Sequence, residues 1–328
     1  MDDTKLKKIV ADTGRELLKK GLVARTWGNI SVRRDEKSFA ISPSGLGYVN
    51  MTPADVPIYD MEKEEWEGTR KPSSEKKIHA AAYKIFPDVN AVIHTHQDYA
   101  TAVGLAGTDL LELTEEEQKL LGKIEIAGYG LPGTGKLKKN VEAAYLKGSK
   151  VVLMSHHGAV ILGQNMDDAI KKAEALENVC RRAVIKKIGN ADENVKAGRL
   201  SPEMLSAAKD MRVVTDNNTL WAAEQNGFKA ELDDIAQMLG QKLKCVENDD
   251  AAILKALNHT DAVLVRGVGC VILTEDPDDA EALMLLTKKA CMTHRLISAA
   301  KKHANLSAFD CKLMNAVYKM KYSKKKEG

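Results

Sequence analysis

Apolar side chains recur at helical spacing from residue 4 to residue 21, at Leu6, Ile9, Val10, Leu17 and Leu18, and Gly21 ends the run. A turn-rich stretch, Trp27-Gly-Asn-Ile-Ser31, leads to short strands around Ser38–Ser42, which Pro43-Ser-Gly45 interrupts. The pattern then predicts a helix from Pro72-Ser-Ser74 to about Ile85, a strand at 91–96 and a helix from near Tyr99. A strand at 123–127 and a helix at 136–147 come next. Lys150-Val-Val-Leu-Met-Ser155 and Ala159-Val-Ile-Leu162 form an apolar hairpin, followed by two long helices at about 166–188 and 201–212. Strands and helices alternate, which places the chain in the α/β or layered α+β class.

The hairpin recurs. Residues 152–169 and 263–280 match at nine of eighteen positions on an ungapped offset of 111, including Val-Ile-Leu in the strand and Asp-Asp-Ala at the helix start. Cys180 and Cys291 fall on the same offset, and Ala251-Ala-Ile-Leu-Lys-Ala-Leu257 resembles Val141-Glu-Ala-Ala-Tyr-Leu146. A partial internal duplication accounts for this. The Gly-, Asn- and Asp-containing segment 190–220 separates the two units.

Composition narrows the class. Length of 328 residues with 44% apolar and 29% charged residues suits a globular protein of one large or two medium domains. A net charge of +3, spread along the chain, gives no footing for nucleic acid, and the lysines of 319–326 read as a solvated end. Five cysteines without CxxC spacing indicate reduced thiols. No apolar run reaches the ~18 residues of a membrane helix, and the N-terminus lacks a signal-peptide core, so the expectation is a cytoplasmic protein with no membrane partner.

Histidines carry the candidate chemistry. His94 and His96 lie at i and i+2 of a strand and so share a face, which lets two imidazoles converge on one ion. An isolated pair of this kind is also compatible with a plain polar strand exit. Ser155-His-His-Gly158, at the mouth of a second apolar strand, adds a third imidazole, and Glu75, after two serines at a helix start, adds a carboxylate. Three histidines and an acid suit a catalytic zinc site, with Mn²⁺, Co²⁺ or Fe²⁺ as other occupants. Ser73 and Ser74 at a helix N-terminus are suited to an anion or to ordinary capping, and the loops Gly28-Asn29 and Ser44-Gly45 offer further donors. Gly130-Leu-Pro-Gly-Thr-Gly-Lys136 falls short of a nucleotide phosphate loop, because Leu137 stands where the magnesium-binding hydroxyl is needed. His79, His259, His294 and His303 sit singly on predicted helices or near their ends, with core or surface roles expected.

Five stretches in order resemble the class II aldolase/adducin family. They are residues 21–31, Ile41-Ser-Pro-Ser-Gly45, Pro72-Ser-Ser-Glu75 with His79, Asp88-Val-Asn-Ala-Val-Ile-His-Thr-His96, and Leu153-Met-Ser-His-His-Gly158. The resemblance covers residues 1 to about 215. It implies an α/β/α fold with a central, mainly antiparallel sheet, and zinc on His94, His96 and His157; His157 is chosen over His156 because the family's ligand directly precedes the glycine. It implies Glu75 as acid/base and Asn29, Ser44, Gly45, Ser73 and Ser74 as phosphate contacts. It also implies a homo-oligomer with sites at subunit interfaces. The expected activity is a zinc-dependent aldolase that cleaves a ketose, as a sugar 1-phosphate, into dihydroxyacetone phosphate and an aldehyde. Glu75, where the epimerase branch resembles Pro-Ser-Ser-Asp, favours the aldolase branch. Alternatives are a metal-dependent dehydratase, decarboxylase or epimerase, or a non-catalytic metal-binding or scaffold protein. The expected domains are 1–215, catalytic, and 216–328, a metal-free partial copy in which His156 and His157 become Gly267 and Val268.

Overall fold

The computed structural model describes residues 2–207 and 210–326. The chain divides into two compact units, Met1–Ala183 and Val184–Gly328.

The first unit opens with helix α1 (Asp3–Lys19), whose apolar positions Leu6, Val10 and Leu17 are fully buried. Strands β1 (Asn29–Arg33), β2 (Ser38–Ile41), β3 (Ile58–Asp60) and β4 (Trp66–Glu67) follow, then α2 (Lys76–Ile85), β5 (Ala91–Thr95) and α3 (Asp98–Ala106). Helix α4 (Glu115–Leu121), β6 (Ile124–Ala127), α5 (Gly135–Leu146), β7 (Val151–Met154), β8 (Gly158–Gly163) and α6 (Met166–Ile188) complete it, with α6 running through the division. Eight strands form one sheet in the order β4-β3-β2-β1-β5-β8-β7-β6, in which only β6–β7 is parallel. One face packs Phe39, Val92, Val152, Met154 and Val160 against Ile78, Tyr83 and Tyr145 of α2 and α5; α1 and α3 pack on the strands as well. Alternating strand side chains thus bury both faces, which is why β5, β7 and β8 read as continuous apolar runs.

The second unit contains α7 (Pro202–Ala207), β9 (Arg212–Val214), α8 (Asn217–Glu224), β10 (Gly227–Lys229), α9 (Asp233–Leu239) and β11 (Lys242–Val246). Then come α10 (Asp250–Leu257), β12 (Ala262–Val265), β13 (Gly269–Ile272), α11 (Pro277–Ala299) and α12 (Ala308–Lys326). The helix expected over 201–212 is a correction. Helix α7 is described over Pro202–Ala207, and Arg212-Val-Val214 is instead an edge strand, because it pairs with Cys270–Ile272. The second sheet, β10-β11-β12-β13-β9, therefore takes a strand from upstream of residue 216.

Its core repeats the arrangement β6-β7-β8-β5 of the first unit. The β11–β12 pair is parallel and carries α10 as its crossover, β12–β13 is an antiparallel hairpin, and β9 pairs antiparallel with β13. Helices α6 and α11 have the same length and lie 111 residues apart. Residue 156 is left-handed at φ 69° and its counterpart Gly267 at φ 72°; the next N–H closes each turn by donating three residues back, 268 to 265 and 157 to 154. Thr95 opposes Ala159 in the first sheet, and Val214 opposes Cys270 in the second. In register, Val213, Thr215 and Val268 therefore occupy the positions that His94, His96 and His157 hold in the first unit.

Candidate metal centre and active site

The site grows out of the centre of the first sheet. Val92 and His94 project from the same face of β5, toward α2, and His94 is 1% exposed. Its Nδ1 lies 2.9 Å from the Ala159 carbonyl, which can only accept, so Nδ1 carries the proton and Nε2 presents its lone pair. His96 follows β5, and its ring stacks on Trp27 at 6.3 Å. The tight turn between β7 and β8 delivers His157. Gly158 makes this possible, since a Cβ there would stand 2.1 Å from the Thr95 carbonyl oxygen.

The donor nitrogens of His94, His96 and His157 lie within 4.8 Å of one another, and the Nε2 atoms of His94 and His96 are 3.0 Å apart. Two nitrogens on one tetrahedral zinc stand about 3.3 Å apart, so the triad fits a metal ion. Among the described residues no other group of three or more histidine, cysteine or acidic side chains brings its donor atoms as close together. His156 is excluded from it: its ring packs edge-on against Tyr129 at 4.9 Å.

Glu75, at the position capping α2, reaches the same point. Its Oε1 lies 3.1 Å from His157 Nε2 and its Oε2 3.3 Å from His94 Nε2, and Asn29 Nδ2 donates to Oε2 at 3.0 Å. Burial works to raise the Glu75 pKa; the neighbouring His157 and His94 and the hydrogen bond from Asn29 work to lower it, and the lowering wins. Burial pushes His94 well below the ordinary imidazole value, with Glu75 opposing. Metal ligation requires the deprotonated imidazole nitrogen that the Ala159 contact of Nδ1 leaves at His94 Nε2.

The residues expected at the phosphate cluster beside it. A bridge between Pro43 and Pro72 brings the two loops together; the Ser44 N–H donates to Lys71 and the Ser73 N–H to Ser42. Ser44, Gly45 and Ser74 are exposed and Ser73 is buried. Ser73 Oγ accepts from the Glu75 N–H at 3.2 Å, so it also caps the turn that carries Glu75. Gly133, at φ 73°, places the 130–136 loop close to Ser74: a Cβ there would be 3.5 Å from Ser74 Oγ. Asn29 faces inward, its carboxamide between Glu75 and His79. A cavity of about 490 Å³ beside Arg34, Ile58 and Trp66 lies at the β2–β3–β4 edge and holds none of these residues.

His79, which the sequence places in the motif with Pro72-Ser-Ser-Glu75 and for which a core or surface role is expected, is fully buried within hydrogen-bond distance of Asn29 and Ser31. The signal was present as two stripes. Glu75, His79 and Tyr83 recur every four residues along α2, and Asn29 and Ser31 alternate along β1.

A family model for the class II aldolase and adducin N-terminal domain matches residues 8–184. The chain belongs to the class II aldolase/adducin family. It is 35% identical over 172 residues to the 5-methylthioribulose-1-phosphate/5-deoxyribulose-1-phosphate aldolase of Rhodospirillum rubrum, a match covering 52% of this chain and 76% of that one. It is 33% identical over 196 residues to the L-ribulose-5-phosphate 4-epimerase of Salmonella typhi, covering 55% of this chain and 85% of the relative. Among solved structures, an L-fuculose 1-phosphate aldolase superposes with a TM-score of 0.51 at 30% identity, over 56% of this chain and 86% of that one. A sugar-phosphate aldolase from Thermotoga maritima shares the fold at 19% identity and a TM-score of 0.51, over 57% and 97%. The mixed α/β architecture around a central sheet is thus that of the class II aldolases. No helix among the described residues is long and apolar enough to cross a membrane.

Proposed function

We propose that this class II aldolase family member is a zinc-dependent aldehyde-lyase that cleaves a ketose 1-phosphate into dihydroxyacetone phosphate and an aldehyde. The observation that carries it is the meeting of three imidazoles and one carboxylate, from three separate stretches of chain, within about one ligand separation. His94, His96 and His157 would hold the ion, whose Lewis acidity, once it is bound, favours negative charge on the oxygens of the ketone half. Glu75 moves the proton of that half; as a buried, ionised carboxylate it is ready to act as base. Asn29, Ser44, Gly45, Ser73 and Ser74 bind and orient the phosphate, so that binding energy remote from the reacting bond fixes its geometry. The similarity to a 1-phosphate aldolase and the presence of Glu75 rather than Asp support cleavage. The similarity to a 4-epimerase supports a second reading, inversion at a carbinol by the same retro-aldol chemistry without product release.

The second unit, in this proposal, is a metal-free partial copy; Val213, Thr215 and Val268 in place of the histidines support it. The enzyme is taken to be a cytoplasmic homo-oligomer. The test is a panel of ketose 1-phosphates and ketopentose 5-phosphates given to zinc-loaded protein. Release of triose phosphate from a 1-phosphate is the expected outcome. Interconversion of ketopentose 5-phosphates without triose phosphate would establish the epimerase instead, and no turnover of either class despite stoichiometric zinc would end both readings.

A further inference from the structure

Glu75 is the near end of a continuous run of buried side chains: Asn29, His79, Ser31 and Tyr83. Asn29 Nδ2 lies 3.0 Å from Glu75 Oε2, Asn29 Oδ1 2.5 Å from His79 Nε2, His79 Nδ1 2.6 Å from Ser31 Oγ, and Ser31 Oγ 2.7 Å from the Tyr83 hydroxyl. All five side chains belong to buried residues, with Ser31 and His79 wholly inaccessible.

The direction of every bond follows from its end. Asn29 Nδ2 donates to Glu75 Oε2 at 3.0 Å. That leaves Oδ1 toward His79, whose Nε2 must carry a proton. Burial pushes the His79 pKa down to about 3, with Glu75 opposing, so the ring is neutral and Nδ1 accepts. Ser31 then donates to Nδ1 and accepts from Tyr83. All four bonds point their hydrogens toward the carboxylate, and such aligned chains polarise one another.

We propose that Asn29, His79, Ser31 and Tyr83 are a positioning chain that holds the Glu75 carboxylate in its reactive orientation through one defined His79 tautomer. It presupposes the lyase chemistry proposed above. It also gives the Asn29 carboxamide a task in addition to the phosphate contact proposed above, because its Nδ2 meets Glu75 and its Oδ1 meets His79. His79, Ser31 and Tyr83 are buried away from solvent and act through Glu75.

The test pairs spectroscopy with two substitutions. Nitrogen-15 spectra of the zinc-loaded protein should show His79, identified by its loss in a variant, as the Nε2–H tautomer near neutral pH. His79→Phe keeps a ring against Phe39, which stacks on His79 at 6.4 Å, but removes both nitrogens. It should lower kcat roughly 10–100-fold while KM and zinc content change less than about twofold. His79→Gln, with an N–H for Asn29 and a carbonyl for Ser31, should recover most of the loss, which a purely steric role would not predict. An Nδ1–H tautomer, or equal kcat in the Phe and Gln variants, would overturn the proposal; should the Phe variant fail to fold, the wild-type tautomer and the Gln variant still decide. The tautomer needs no substrate, so failure of the lyase reading would show separately, as absent turnover in a protein whose His79 is Nε2-protonated.

Discussion

The Gly158→Ala substitution tests how closely the metal centre depends on the ladder beneath it. An added Cβ would stand 2.1 Å from the Thr95 carbonyl oxygen and 3.2 Å from His94 Cε1. A carbon–oxygen contact needs about 3.3 Å, so β5 and β8 must separate by roughly 1 Å. That opens the register in which Thr95 faces Ala159 and His94 faces Val160. Overpacking contributes about 1–3 kcal/mol and one lost ladder hydrogen bond about 1 kcal/mol, for a total of roughly 2–4 kcal/mol. Because Thr95 lies between two ligands, the same shift should weaken zinc at least about tenfold. Competition against a chromophoric chelator reads the affinity, and the urea midpoint reads the stability. Gly269→Ala is the control, placing a Cβ 2.3 Å from the Val214 carbonyl in the second unit, where no ligand stands. If Gly158→Ala bound zinc as tightly as the parent, or if Gly269→Ala weakened zinc as much, the ladder would not be what sets the ligand geometry.

Three further outcomes are expected. Glu75→Gln should retain zinc and substrate binding but lose roughly 10²–10⁴ in kcat; unchanged turnover would remove Glu75 from the chemistry. Chelation should abolish turnover and lower the melting temperature, since an ion at about 100 times its Kd contributes about 2.7 kcal/mol to the folded state, and added zinc should restore both. His79 gives a pH signature: its folded pKa of about 3 lies below the unfolded value of about 6.5, so the unfolded chain binds the extra proton and stability falls as pH drops below about 6.5. Between about pH 7.5 and 5.5 the parent should lose about 1.4 kcal/mol more than His79→Phe, read from paired urea titrations; parallel losses would mean that His79 is not held neutral.

Much of this was legible in the sequence because it is local. His94 and His96 share a strand face, Gly158 marks a tight turn, and Met166–Ile188 follows an unbroken helical period. Glu75 and the serines before it stand at a helix start that proline and serine announce. Three matters were hidden. Strand Arg212–Val214 exists only through its pairing with Cys270–Ile272, and the preceding Met-Leu-Ser-Ala-Ala-Lys run favours helix on its own. The joining of Asn29 to Glu75 depends on β1 lying under α2, a contact between residues 46 apart in sequence. His156 and His157 are adjacent and chemically alike. The left-handed backbone at His156 sends its ring to Tyr129 and leaves His157 to face the other histidines.

In the second unit, valine and threonine stand where the first has its three imidazoles, yet the hairpin, its edge partner and the long helix after it are built to the same plan. The framework thus does not lean on any ion for its assembly. A metal that binds His94, His96 and His157 would then meet a strand framework whose plan does not require it. Which ion occupies the site is then governed by supply in the surrounding medium as well as by the donors themselves.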